Sequence, residues 1–519
     1  MDIPMAEKRK NILFILTDDQ GPWAMHCAGN DDIHTPNLDR LAASGVRYEN
    51  FYCVSPVCSP ARASLLTGKI PSAHGVHDWL AKGQIDADCL SDELKEAFAM
   101  ENPPFDFRWP KSQLKDDTSI LYLAPHKTFT EVLADNGYEC GLSGKWHVGG
   151  ADTPQAGFTF WKSLALGGAE YYHQVVFEEG EMRMNHDVYV TDYITDGAME
   201  FLDGRDREKP FCLCVHYSAP HSPWGEGCHP EEYMRMYRGS SFDSIPEEPP
   251  HPWVHGVDQS FAEWKSKPHP GVRFVKAQYA PIREVWHEYR QESLTGYFAA
   301  VTAMDAAVGK LLDRLEADGL AEDTLIVFTS DNGSNMGHHG IFGKGNGTYP
   351  VNMYETSVKV PGLFACPGTI PGGRVLPSMR SHYDVYETLL DFVGIPFEKT
   401  EDMPGQSFAA ELRGEDADAP AGVVAFDEYG RTRMICERTE EHQLKLVWCG
   451  EDGPNELYDL AADPGERVNQ YDNPAYAAKV ALLRDKLLGW FEIYVNPELD
   501  GTREDVRGKG QIDSHTFIQ

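Results

Sequence analysis

Residues Asn11 to Thr17 (NILFILT) form a short apolar run that stops abruptly at Asp18, Asp19 and Gln20. A run this short and this apolar suits a strand buried on both faces of a parallel sheet. The polar residues then fall at its carboxyl end, where open α/β sheets place their ligands. The pattern recurs. Residues 138–143 read as a strand that delivers Gly144, Lys145, Trp146 and His147. Residues 209–217 read as another, ending in a Pro-rich turn that carries His221, and residues 324–329 run into Ser330, Asp331 and Asn332. Residues 358–365 suit a further strand.

Helix signals alternate with these strands. Thr35 can cap a helix opened by Pro36 and closed by Gly45. Another helix starts near Thr128. Apolar residues at 294, 297, 298, 301, 304, 308, 311, 312 and 315 recur at helical spacing. The alternation predicts an α/β fold, a large mostly parallel sheet covered by helices on both faces. Residues 99–118 read as a surface loop, and 239–285, dense in Pro, His and Trp, as an irregular insertion. Composition changes over 399–422, where Asp, Glu, Gly and Pro dominate. The expected division is a catalytic domain over 1–400 and an α+β subdomain over 420–519. In the latter, 423–426 and 444–448 suit strands, and Val480, Leu483, Leu487, Trp490 and Tyr494 step along one helix face.

The most specific stretch is Cys58 to Gly68 (CSPARASLLTG). Ala63 to Leu66 favour helix, Gly68 can end it, and Pro60 suits its first turn. Cys58 is therefore expected at a helix N-terminus, among free N–H groups at the positive dipole end. Arg62, four residues on, returns to the same face. This describes an anion site with a potential nucleophile in it.

The chain has 519 residues, 46 basic against 81 acidic, for a net charge of −35. So acidic a surface disfavours nucleic acid and anionic membranes as partners. An anion bound near Cys58 would then need local cations, of which Arg62 is one. The 11 cysteines are scattered, without zinc-like pairs, and are expected to be reduced. No apolar run matches a secretory core or a membrane span, so the expected location is the cytoplasm.

Cys58-Ser59-Pro60-Ala61-Arg62 followed by Leu66-Thr67-Gly68 resembles the signature of the formylglycine-dependent sulfatases of the alkaline phosphatase superfamily. The resemblance runs strongly over 10–395 and more weakly over 440–495. It implies that Cys58 is converted to formylglycine by a maturation enzyme, and that Asp18, Asp19, Asp331 and Asn332, with residue 58, bind a divalent metal, Ca²⁺ by preference and Mg²⁺ as the alternative. Three carboxylates and an amide oxygen are hard ligands suited to either ion. It further implies that Lys145, Lys344 and Arg62 clamp the sulfuryl group, that His221 protonates the leaving alcohol with Lys344 as the alternative donor, and that His147 takes a proton as sulfate is expelled. The expected substrate is a small sulfated sugar. Aryl or steroid sulfates, and a phosphonate monoester or phosphodiester hydrolase of the same superfamily, are the alternatives.

Overall fold

A computed structural model of the protein describes residues 9–113, 118–168, 170–254, 282–416, 423–426, 432–503, 506, 510 and 511. Its strands are β1 (Asn11–Thr17), β2 (Val46–Tyr52), β3 (Glu139–Lys145), β4 (Phe160–Leu164), β5 (Gln174–Glu178), β6 (Glu181–Asn185), β7 (Phe211–His216), β8 (Thr324–Ser330), β9 (Asn335–Met336), β10 (Phe342–Gly343), β11 (Gly362–Ala365), β12 (Arg374–Ser381), β13 (Val423–Phe426), β14 (Arg433–Arg438), β15 (Gln443–Trp448) and β16 (Glu456–Asp459). The large sheet has the order β12-β2-β11-β8-β1-β7-β3-β4-β5-β6. Its centre, β8-β1-β7-β3-β4, is parallel throughout. β11 runs antiparallel to both its neighbours, and β4, β5 and β6 alternate in direction. The sheet is thus mixed around a parallel core.

β1 shows why the apolar run had to be central. Ile12, Phe14 and Leu16 enter the core on one face, and Leu13 and Ile15 the core on the other. Helices α1 (Pro36–Ser44), α3 (Val190–Gly204) and α4 (Ile282–Ala317) cover the second face. Helices α2 (Cys58–Thr67) and α5 (His382–Phe392) cover the first. Burying each such Leu, Ile or Phe contributes roughly 1.5–3 kcal/mol, so both faces drive the stacking.

The smaller sheet, β13-β14-β15-β16, is antiparallel and packs on helix α6 (Ala477–Tyr494). Its core also holds Val54, Ile70, Ala73 and Tyr383 from the larger part of the chain. Lys445, on β15 and fully buried, is paired with Glu355 and Glu466 beside that junction.

Some local expectations are corrected. Thr35 does not cap α1: its hydroxyl accepts from the His26 N–H, while the Asp305 carboxylate on α4 takes the first N–H groups of α1, those of Asn37 and Leu38. An acidic side chain from a packed helix satisfies those donors better than a neutral hydroxyl. Residues 99–118 hold a helix, Phe105–Gln113, that runs through Pro110. The strand expected over 358–365 covers only Gly362–Ala365, after a short helical turn, Glu355–Val358. The expected insertion over 239–285 lies partly outside the described residues. All eleven cysteines are free thiols. Among the described residues no helix is long and apolar enough to cross a membrane.

Candidate active site

Parallel pairing aligns the carboxyl ends of the four central strands. Leu16 is level with His216 and Thr329, Thr17 with Ser330, and Gly144 with His216. The residues that follow therefore converge: Asp18 and Asp19 after β1, Lys145 and His147 at the end of β3, His221 after β7, Asp331 and Asn332 after β8. Two of them hold an unusual backbone, with φ of +62° at Asp19 and +54° at His147. Left-handed φ in non-glycine residues persists only where the surroundings impose it, as functional sites do.

Helix α2 brings Cys58 to this point as its first helical residue, and Gly68 ends the helix in the left-handed conformation (φ +69°). The Cys58 sulfur lies 3.5 Å from Asp18 Oδ1 and in contact with the Lys344 ammonium. Burial foremost, then the Asp18 charge, pushes the Cys58 thiol up to about 12 despite Lys145 and Lys344. An unmodified Cys58 is thus a neutral thiol, which argues against a thiolate nucleophile.

Charges alternate around it. Lys145 Nζ pairs with Asp18 Oδ2, and Lys344 Nζ with Asp19 Oδ1 at 2.6 Å. Arg62, 1% exposed, donates through Nε to Asp331 Oδ2 at 2.9 Å and through one terminal nitrogen to the Lys145 carbonyl at 2.9 Å. Burial raises the Asp18 and Asp19 carboxyls. For Asp18, Lys145 foremost, and for Asp19, Lys344 foremost, overcome that and hold them below the usual range, helped by His221. Lys344 is raised well above the usual lysine value, because the carboxylates of Asp19, Asp18 and Asp331 outweigh burial. Buried ion pairs of this kind stabilise little on balance; here they fix positions.

The two imidazoles differ. His147 is buried, and burial foremost, then Lys145, Arg62 and Lys344, keeps it well below the usual histidine value, so it is neutral. Its Nε2 lies 3.2 Å from the Leu80 carbonyl, so Nε2 carries the proton and donates. Nδ1 is buried with no partner among the described residues and keeps its lone pair. His221 is more open. Its Nδ1 donates to the Ser222 carbonyl at 2.8 Å, and Nε2 faces Asp19 Oδ2 at 3.7 Å.

Ligand atoms of Asp18, Asp19, Cys58 and His221 all lie within 4.8 Å of one another. Asn332 Nδ2 donates to Asp19 Oδ1 at 2.8 Å and to the Gly333 carbonyl at 2.9 Å, and its buried Oδ1 has no partner among the described residues. An orphaned amide oxygen beside crowded carboxylates fits a hard divalent cation. Asp331 is more committed: Oδ2 takes Arg62, and Oδ1 takes the N–H groups of Asp19 and Asn332.

Sequence reasoning missed some contributors. His216 Nδ1 donates to the Lys145 carbonyl at 3.0 Å, and Leu80 acts through its backbone carbonyl. Gly167 and Gly168 lie over the two imidazoles. A Cβ on Gly167 would stand 2.0 Å from the His147 ring, whereas one on Gly168 would, among the described residues, meet only His221 Cε1, at 3.6 Å. The double glycine after β4 was the available signal.

A mixed α/β sheet with such a constellation at its strand ends defines a hydrolase of anionic esters. Residues 10–395 match the sulfatase family model, and residues 337–491 match the model for the C-terminal part of N-sulphoglucosamine sulphohydrolase. The chain belongs to the sulfatase family and is an enzyme of sulfate ester hydrolysis. It is 27% identical to an N-acetylglucosamine-6-O-sulfatase of Bacteroides thetaiotaomicron and 27% identical to a choline-sulfatase of Rhizobium meliloti, in each case over 91% of this chain and 84% of the relative. A solved structure in complex with its substrate, D-glucosamine-2-N,6-O-disulfate, superposes with a TM-score of 0.71 at 26% identity, covering 96% of this chain and all of the other. A phosphonate monoester hydrolase of Agrobacterium radiobacter shares the fold, with a TM-score of 0.67 at 20% identity over 94% of this chain and 96% of its own.

Proposed function

We propose that this sulfatase releases sulfate from a small sulfated sugar, using formylglycine made from Cys58 and a Ca²⁺ or Mg²⁺ ion held by Asp18, Asp19, Asp331, Asn332 and residue 58. The observation that carries the reading is the position of Cys58: first residue of a helix, beside Asp18 and in contact with Lys344. A formylglycine-generating enzyme would supply the oxidation of the thiol carbon. The aldehyde hydrate offers one hydroxyl to attack sulfur and a second whose deprotonation expels sulfate. A divalent cation, when bound, offsets the charge of the sulfuryl oxygens and of the attacking hydroxyl.

The chain's own residues do the rest. Lys145, Lys344 and Arg62 surround the place of the sulfuryl group and hold its oxygens as charge shifts to the ester oxygen. Arg62 keeps one buried terminal nitrogen without a partner among the described residues, available to such an oxygen. His147, with Nδ1 bare, accepts the proton of the second hydroxyl. His221, at the more open side, gives a proton to the departing alcohol.

The sugar reading draws on the relatives named for N-acetylglucosamine 6-sulfate and on the neighbour that binds a disulfated glucosamine. The phosphonate reading is favoured by fold alone. Sulfate release from N-acetylglucosamine 6-sulfate, choline sulfate and nitrophenyl sulfate, alongside phenyl phosphonate hydrolysis, tests the proposal on protein matured with the modifying enzyme. Expected are the highest kcat/KM on the sugar sulfate and a Cys58 peptide lighter by the thiol-to-aldehyde change. Full activity with only an unmodified thiol would sink the mechanism, and preference for the phosphonate would sink the substrate class.

A further inference from the structure

Beyond residue 491 both family matches have ended, yet the chain turns back onto the larger domain. Asn496 N–H donates to the Ser72 carbonyl and Gly501 N–H to the Ser72 hydroxyl, each at 3.0 Å. The His77 ring nitrogen Nε2 donates to the Leu499 carbonyl at 2.5 Å. The Gly510 carbonyl accepts the N–H of His77 at 2.8 Å and that of Asp78 at 3.2 Å. Val506, Gly510 and Gln511 are buried, so these residues are docked.

These contacts land on a loop of consequence. Gly510 packs on Leu80 so closely that a Cβ there would stand 2.5 Å from Leu80 Cδ2. The Leu80 N–H donates to the hydroxyl of Ser59, next to Cys58, at 3.1 Å. The Leu80 carbonyl is the group that accepts His147 Nε2–H. A carbonyl can only accept, so its position decides which His147 nitrogen carries the proton.

We infer that residues 496–501 together with Gly510 are a positioning segment of the active site: they fix the 77–80 loop so that the Leu80 carbonyl holds His147 with Nδ1 free. The link runs from tail to loop, from loop to imidazole, and through Ser59 to the start of the helix that carries residue 58. The kinetic consequence rests on the role proposed for His147; the positioning itself does not.

The test uses full-length chains with Gly510→Val, which crowds Leu80 in a left-handed position (φ +82°), or His77→Phe, which removes the contact to Leu499. Histidine labelled with ¹⁵N reports the His147 tautomer, assigned by its loss in His147→Gln. Wild type should show protonated Nε2 alone, and the variants a mixture of tautomers. Because a positioned acid–base group contributes ~10²–10⁴ in rate, partial loss of its alignment should lower kcat about tenfold, with KM within twofold. An unchanged tautomer in both variants, or a loss confined to KM, overturns the inference. If wild type proves inactive on every sulfate ester, the proposed function fails, but the imidazole signal still decides this one.

Discussion

Lys344 Nζ sits between two groups of opposite purpose, the Asp19 carboxylate at 2.6 Å and the sulfur of Cys58. The ammonium stays charged because the carboxylates of Asp19, Asp18 and Asp331 outweigh its burial. It therefore faces any negative charge that grows on residue 58 or on a sulfuryl oxygen. Lys344→Ala should lower kcat by about 10²–10³, the loss seen when one fixed donor is removed from a charged transition state. Lys344→Met keeps most of the volume and should lose as much. A Met variant near wild type would mean that the side chain only fills space.

Asn332 separates a structural from a metal role. Its Nδ2 already serves Asp19, while Oδ1 has no partner among the described residues. Asn332→Ala should weaken Ca²⁺ binding by more than the ~10–100-fold typical of losing an outer-shell partner, measured by calorimetric titration of chelator-treated protein. Chelation should abolish wild-type turnover, and added Ca²⁺ or Mg²⁺ should restore it. Full activity with no metal detectable by elemental analysis would remove the site.

The apolar runs that became β1, β7 and β8 announced the sheet and the residues at its edge, because strands buried on both faces leave no choice of pattern. β2 (VRYENFY) gave no such signal: polar residues punctuate it, and only its place between β11 and β12 makes it a strand. The helix Phe105–Gln113 was hidden by Pro110, which argues against helix on local grounds. Cys58, Arg62 and the paired acids were legible because their chemistry resides in side chains. Leu80 was not, because it acts through a carbonyl that any residue carries. The tail was not either, because backbone contacts between residues 77 and 510 leave no mark on residue type.

Acid should weaken the fold in a defined window. Burial foremost pushes His216, His229, His338 and His382 down to about 3. Unfolded, they titrate near the ordinary value, so between pH 6.5 and 3 the unfolded chain binds more protons and stability falls with pH, by about 1.4 kcal/mol per unit for each such group. Asp384, raised by burial to about 6, and Glu466, raised by burial to about 7 despite Lys445, act with the opposite sign. His74, His126, His147, His251 and His339 are held low as well, and Asp305, Glu387 and Glu456 raised, so the lowered histidines outnumber the raised carboxyls and leave a net loss below pH 6. Asp18 and Asp19, held low, lose their contribution only below the unfolded carboxylate value, near pH 4. Urea midpoints at pH 7.5, 6.5 and 5.5 should therefore decline below 6.5 at constant slope. A flat or rising midpoint would contradict the buried neutral histidines.

His221 is placed to act on the leaving group, since it is the more open imidazole and its Nδ1 is fixed by Ser222. An activated phenol departs as a stable anion, whereas a sugar hydroxyl gains the full effect of an acid, roughly 10²–10⁴-fold. His221→Ala should therefore reduce kcat on a sugar sulfate far more than on nitrophenyl sulfate. Equal losses on both, or a change in KM alone, would pass the role to Lys344.

Gly167 and Gly168 should answer differently to the same added methyl group. At Gly167 the Cβ would overlap the His147 ring at 2.0 Å, and that ring has no room to retreat because it is buried and tied to Leu80. Overpacking of this kind forces side chains off their positions at a typical cost of ~1–3 kcal/mol, and here the displaced group is the proposed base. Gly167→Ala should reduce kcat on every substrate alike. At Gly168 the Cβ would, among the described residues, touch only His221 Cε1, at ordinary contact distance. Gly168→Ala should leave nitrophenyl sulfate turnover within about twofold, since surface-like substitutions of this size cost little. A larger side chain there, Gly168→Leu, would fill the space beside His221 where the alcohol must leave, and should raise KM for a sugar sulfate more than for the flat aryl ester. Parallel kinetics on the two substrates decide it: equal effects of Gly168→Leu on both would mean that the position faces away from the leaving group.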